Sequence, residues 1–169
     1  TLFRSPNETF IYYGDTANAP YGTKRPEEVR ALAFNIVRKM LARNAKAVVI
    51  ACNTATAEAA AALRESFDVP IIGMEPALKP AAELESRGLR LVLATPGTLK
   101  SEKYARLYAR FGQNAVSLPC PGLMEFVEAG DRGSEALRSY LETLFLPYRQ
   151  QKIAAVVLGC THYSFIRPL

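Results

Sequence analysis

Cysteine and histidine are scarce in this chain: three thiols, Cys52, Cys120 and Cys160, and a single imidazole, His162. An odd, widely spaced set of cysteines excludes the disulfide framework of a small secreted domain and fits reduced thiols in the cytoplasm. There is no C-x-x-C or H-x-x-x-H pair, which weighs against zinc, because such sites usually include one close pair of ligands. No G-x-G-x-x-G follows an apolar run, so a dinucleotide site is disfavoured. Apolar runs stay well short of the roughly 18 residues that a membrane span needs, and no signal-peptide pattern is visible. The formal charge of +5 is mild, and lysines and arginines are spread along stretches such as RALAFNIVRKMLAR. Without a basic block interleaved with aromatics, no nucleic-acid face is expected.

What is present is an alternation of short apolar runs and amphipathic stretches in 169 residues, 49% of them hydrophobic. Strands are expected at TFIYYG (9–14), AVVIA, VPIIG, LRLVLA, AVSLP and IAAVVLG. AVVIA lacks alternation and reads as buried on both faces. Helices are expected from Glu27 to Asn44, with Pro26 in the first turn, over TATAEAAAALRESF, and over PALKPAAELESRG with Gly88 as its stop. Further helices are expected over GTLKSEKYARLYARFG, GLMEFVEAG and SEALRSYLETLFLPY, the last capped by Ser134. Strands joined by crossover helices imply an α/β fold with mainly parallel sheets. The Pro-flanked connection IIGMEPALKP divides it into two lobes, 1–74 and 75–169.

Each lobe carries one strand that ends on a cysteine, in VVIACNTATA and VVLGCTHYSF. Ligands in open α/β folds gather outside the carboxyl ends of strands. Asn53 and Thr54 open the Ala-rich helix after Cys52, and the unpaired amides there suit a carboxylate or phosphate. The same partial positive field lowers a thiol's pKa from its ordinary value of about 8.5. At the second junction His162 stands two residues after Cys160, where an imidazole can hold or relay a thiol proton or donate to a carboxylate. A lone thiol after a strand is more often core filler, which is the reading given to Cys120. The residues alone leave core packing, thiol chemistry and a zinc site at Cys52, Cys160 and His162 as open alternatives.

The segments GDTANAPYGTK, VVIACNTATA, LATPGT and LGCTHY, in that order over essentially the whole chain, resemble the aspartate/glutamate racemase family. The resemblance implies two α/β lobes related by a pseudo-twofold axis, with a cleft between them and no cofactor. It implies L-to-D racemisation of glutamate by two thiols, Cys52 and Cys160, on opposite faces of the α-carbon, with His162 assisting Cys160. It further implies that Tyr21, Gly22, Asn53, Thr54, Thr161 and His162 contact substrate, as do Thr95 and Thr98, and that Glu128 lies close by. The implied partner is a small amino acid, in a cytoplasmic protein supplying D-glutamate for peptidoglycan; a homodimer fits the family. Aspartate or another amino acid is the alternative substrate.

The pattern also departs from the family. Members open with a strand leading into an Asp-Ser-Gly loop, whose aspartate assists the first cysteine, and they continue beyond the GCTHY segment. This chain starts after that loop and stops at FIRPL. The expectation is a sequence truncated at both ends with an incomplete first lobe, and a catalytically silent ligand-binding fragment is the competing reading.

Overall fold

The computed structural model describes residues 7–168. Its architecture is α/β with two separate parallel sheets. Among the described residues the first contains β1 (Val48–Val49) and β2 (Ile71–Ile72), paired Val48 to Ile71 and Val49 to Ile72. The second has the order β4-β3-β5, from β3 (Leu89–Ala94), β4 (Ala115–Pro119) and β5 (Ile153–Leu158). Among the described residues no helix is long and apolar enough to cross a membrane.

Helix α1 (Pro26–Leu41) begins on Pro26, whose fixed φ suits a first turn and whose missing N–H would be unpaired there anyway. Its stripe Val29, Ala33, Val37 and Met40 is buried. It packs with Ala59 and Leu63 of α2 (Asn53–Ser66) and with Val48 and Ile71 of the first sheet. The opposite face of that sheet is open: Val49 is 56% exposed and Ile72 52%. The expectation of a strand buried on both faces is thereby corrected, because nothing among the described residues covers the second face.

The central strand β3 of the second sheet is covered on both faces, as a continuous apolar strand requires, whereas on the edge strand β5 Val156 is 46% exposed. Leu91 and Leu93 face α6 (Leu123–Glu128), α7 (Glu135–Phe145) and the 3-10 segment Thr161–Ile166, whose Tyr163 is fully buried. Val92 points the other way, against Leu78 of α3 (Leu78–Ala82) and Tyr104 and Leu107 of α5 (Glu102–Phe111). The period-2 alternation of β3 thus builds two cores from one strand. Cys120 lies in the first of them, 2% exposed, donating to the Leu118 carbonyl at 3.2 Å, with burial pushing its pKa up to about 12. Core filler is the reading that fits it.

Several boundaries differ from expectation for local reasons. Residues 9–14 form no strand; their backbone pairs with no neighbouring strand and their side chains are largely exposed. The long helix expected over 97–112 is two, α4 (Pro96–Lys100) and α5, because Ser101 adopts an extended conformation and its hydroxyl caps the Tyr104 amide at 3.2 Å. A serine at that point offers the backbone an alternative to continuing the helix. Helix α3 stops at Ala82, where the guanidinium of Arg90 takes its terminal carbonyls. Ser134 caps α7 as expected, accepting from Leu137 N at 3.1 Å.

Gly88 therefore ends no helix. It leads into β3 at φ +136°, and a Cβ there would stand 2.4 Å from the Lys152 carbonyl oxygen. Both facts require glycine, since L side chains avoid this backbone region and the obstacle is main chain. Gly88→Ala is expected to lower stability by about 1–3 kcal/mol, read as a reduced urea midpoint at an unchanged slope.

Candidate active site

Both thiol junctions form at the carboxyl ends of parallel strands, where a chain leaving a sheet exposes unpaired amides. Cys52 is the N-cap of α2: its Sγ accepts from the Ala55 amide at 3.4 Å. Asn53 and Thr54 are the first two residues of that helix, and both are buried. Cys160 precedes the 3-10 segment, whose Tyr163 amide donates to the Cys160 carbonyl at 3.1 Å.

The two junctions meet directly. Asn53 Nδ2 donates to the Gly159 carbonyl at 2.6 Å, so the residue after the first thiol holds the residue before the second. Gly159 is itself pinned, its amide donating to the Leu93 carbonyl at 2.6 Å. A Cβ on Gly159 would lie 2.6 Å from that oxygen, so the strand exit admits only glycine. A second tie is a triad of buried hydroxyls. Thr54 Oγ1 lies 2.9 Å from Thr95 Oγ1 and 3.1 Å from Thr98 Oγ1, and the latter two are 3.0 Å apart. Thr95 also N-caps α4 through the Thr98 amide at 3.3 Å.

The PYG loop is fastened to the same place. Gly97 N donates to Gly22 O at 3.2 Å, and a Cβ on Gly22 would stand 2.6 Å from Thr95 Cβ. The Tyr21 hydroxyl donates to the Asp15 carboxylate, which also accepts from Asn18 Nδ2 at 2.8 Å. Burial, with the Asp15 hydrogen bond and charge, raises the Tyr21 pKa, and a charge on Cys52 contributes too. Tyr21 therefore stays protonated within electrostatic reach of the first thiol. Asp15 and Gly159 went unassigned in the sequence. The polar turn GDTANA flanking Tyr21 is the only signal that marks Asp15, and Gly159 acts through its backbone.

At the second thiol, Cys160 Sγ is 3.6 Å from His162 Nδ1, and His162 Nε2 is 2.5 Å from Glu128 Oε1 at the end of α6. A carboxylate only accepts, so Nε2 carries the donated proton and Nδ1 of the neutral ring is free to accept from the thiol. Proton transfer would give a thiolate beside an imidazolium, with Glu128 stabilising the cation. Thr161 opens the 3-10 segment and is exposed; its carbonyl accepts from Ser164 Oγ at 2.8 Å. Cys52, Asn53, Thr54, Tyr21, Gly22, Thr95 and Thr98 thus form one connected group. Cys160, His162 and Glu128 form a second, joined to it through Asn53.

The helix start does not by itself lower the first thiol. Burial pushes the Cys52 thiol up, and this exceeds the opposing pull of the Ala55 and Thr54 amides and the Thr54 hydroxyl. Cys160 is pushed up to about 11 by burial, against the amides of His162 and Tyr163, with a charge on Cys52 adding to the rise. The expectation of a depressed thiol pKa is corrected: the field is present, but desolvation wins. Among the described residues, no group of three or more His, Cys, Asp or Glu side chains is gathered so as to hold a metal ion.

A raised thiol pKa delays thiolate formation to higher pH. Alkylation of Cys160 by iodoacetamide, followed by peptide mass spectrometry, is expected to accelerate about tenfold per pH unit between about pH 7 and 9. A rate flat across that window would mean the thiolate is already formed.

The family model described as Asp/Glu/Hydantoin racemase matches residues 3–168. A glutamate racemase of Clostridium perfringens is 50% identical over 165 residues, covering 96% of this chain, and one of Clostridium novyi is 53% identical over 165 residues. The chain spans 64% of the length of these relatives. Among solved structures, Escherichia coli glutamate racemase in complex with L-glutamate and the activator UDP-MurNAc-Ala superposes with a TM-score of 0.86 at 34% identity, over 99% of this chain and 65% of that one. The Francisella tularensis enzyme in complex with D-glutamate gives 0.81 at 29% identity, over 99% and 64%. With parallel α/β sheets, two strand-end thiols joined through Asn53, and a family match along nearly its whole length, the chain belongs to the Asp/Glu/Hydantoin racemase family.

Proposed function

We propose that the protein of which this chain forms a part racemises glutamate, L to D, without a cofactor. The observation that supports the reading is the Asn53–Gly159 hydrogen bond, which joins the residue after one thiol to the residue before the other across two sheets. Inversion at an α-carbon needs a base on one face and an acid on the other. Cys52 and Cys160 supply those roles: one thiolate takes the α-proton, and the opposite thiol returns a proton to the other face. No bond forms between sulfur and carbon, so the step is general acid–base catalysis.

Because burial raises both thiols, the working thiolate has to be made at the moment it is needed. For Cys160, the His162–Glu128 pair can take the proton and hold the resulting charge. For Cys52, the α2 amides stabilise the thiolate. Tyr21, Gly22, Asn53, Thr54, Thr95, Thr98 and Thr161 are assigned to substrate binding or to shaping the loops that bind it. Glutamate is favoured by the glutamate racemases among the relatives; aspartate is the second reading. In this proposal the two lobes are 1–74 and 75–169, the protein is cytoplasmic and homodimeric, and its D-glutamate serves peptidoglycan synthesis.

Circular dichroism of L-glutamate incubated with the protein tests the proposal, with L-aspartate in parallel. Ellipticity should decay to zero with glutamate, and Cys52→Ser or Cys160→Ser should slow the decay by about 10²–10⁴-fold. Full turnover in either variant would sink the two-thiol scheme. Thermal stabilisation by glutamate with no decay would replace it with the silent-fragment reading. Glu128→Gln acts only through His162, so it should lower kcat by about tenfold or more with little change in KM.

A further inference from the structure

We propose a small-oxyanion site at the end of the second sheet opposite the thiols, built on Arg90 and Arg110. A cavity of about 230 Å³ lies there, lined by Ala82, Arg90, Arg110, Phe111, Gln113 and Asn114. It sits at the amino ends of β3 and β4, where Arg90 N donates to Asn114 O at 2.8 Å. The thiol junctions lie at the carboxyl ends, so this locus is separate from the candidate active site and independent of the racemase reading.

Arg90 is the unusual member. It is a charged residue only 8% exposed, in a strand otherwise apolar from Leu89 to Ala94. Part of its role is structural: Nε donates to Ala81 O at 2.6 Å, and Nη2 reaches Ala82 O at 3.4 Å and Leu84 O at 3.3 Å. These bonds satisfy the last carbonyls of α3. They leave Nη1 without a hydrogen bond among the described residues. Nη1 is not sealed away either, because Asn53 Oδ1 is the one buried, unpartnered side-chain nitrogen or oxygen atom among them. Arg90 is one of the residues that line the cavity, so this unused nitrogen belongs to a side chain that borders it.

The charge is also unbalanced. Among the described residues neither Arg90 nor Arg110 makes an ion pair, and no carboxylate lines the cavity. The Arg110 guanidinium is steadied over the Phe111 ring, 4.9 Å from its centroid. A nearly buried guanidinium without a counter-charge is costly, and planar guanidinium forks match the oxygens of phosphate and carboxylate. Gln113 and Asn114 add amide groups that can donate to a third oxygen. The volume is below the roughly 300 Å³ at which drug-sized pockets begin, which suits phosphate or a short carboxylate.

The test is thermal unfolding of the protein in sodium phosphate and, separately, in sodium succinate, each against sodium chloride at matched ionic strength. A saturable rise in Tm with phosphate or succinate, absent with chloride, is expected, and which anion gives it assigns the oxyanion. Arg110→Gln changes an exposed side chain and leaves the α3 cap intact; it should weaken the apparent affinity about tenfold or more. Broadening of the phosphorus-31 resonance of inorganic phosphate by the protein, lost in Arg110→Gln, would locate phosphate directly. An equal rise with chloride, no rise with either oxyanion, or a rise unchanged in Arg110→Gln would overturn the proposal.

Discussion

The Asn53–Gly159 hydrogen bond is the contact on which the arrangement of the site depends. Each sheet can deliver a thiol to its own strand end by local rules alone, but nothing local brings the two ends together. A buried amide donating to a buried carbonyl at 2.6 Å does so with little tolerance, since separating them would leave two polar groups without partners. The hydroxyl triad of Thr54, Thr95 and Thr98 strengthens the same seam, and Gly22 stacked against Thr95 extends it to the Tyr21 loop. All four segments meet at α2 and α4, two helices whose starts are capped by Cys52 and Thr95. Capping and site construction are here one event.

The electrostatics of the two thiols differ in kind. Cys52 draws on fixed partial charges, the amides and hydroxyl at a helix start, which cannot move in response to the proton. Cys160 has in addition a mobile partner, an imidazole whose other nitrogen is tied to a carboxylate. Desolvation outweighs the fixed charges at both, so the thiols rest protonated. This asymmetry belongs to the residues in reach, because the strand-to-cysteine geometry is alike at both ends.

The fold was legible where a residue's preference and its burial agree. The α1 stripe, the Pro26 start, the Ser134 cap and the apolar strands β3 and β5 follow from period and capping chemistry. Legibility failed where tertiary context decides. Among the described residues, 9–14 carry β-favouring side chains but have no strand to pair with, and Val49 and Ile72 are apolar without a layer over them. Ser101 and Arg90 each end a helix through one side-chain group that periodicity does not register. At the site, cysteine and histidine were visible because they are rare and chemically distinct. Asp15 was hidden in an ordinary polar turn, and Gly159 acts through a carbonyl that every residue possesses.

One consequence lies in the orientation of the Asn53 amide. Its nitrogen is identified by the bond to Gly159, since a carbonyl can only accept, and this fixes the other atom as oxygen. That oxygen is buried and has no donor. Beside it, the amides of Thr54 and Ala55 turn to the Cys52 sulfur instead. Turning the Asn53 amide over would set its oxygen against the Gly159 carbonyl and break the bond between the sheets. The seam is thus held by leaving one oxygen stranded inside it.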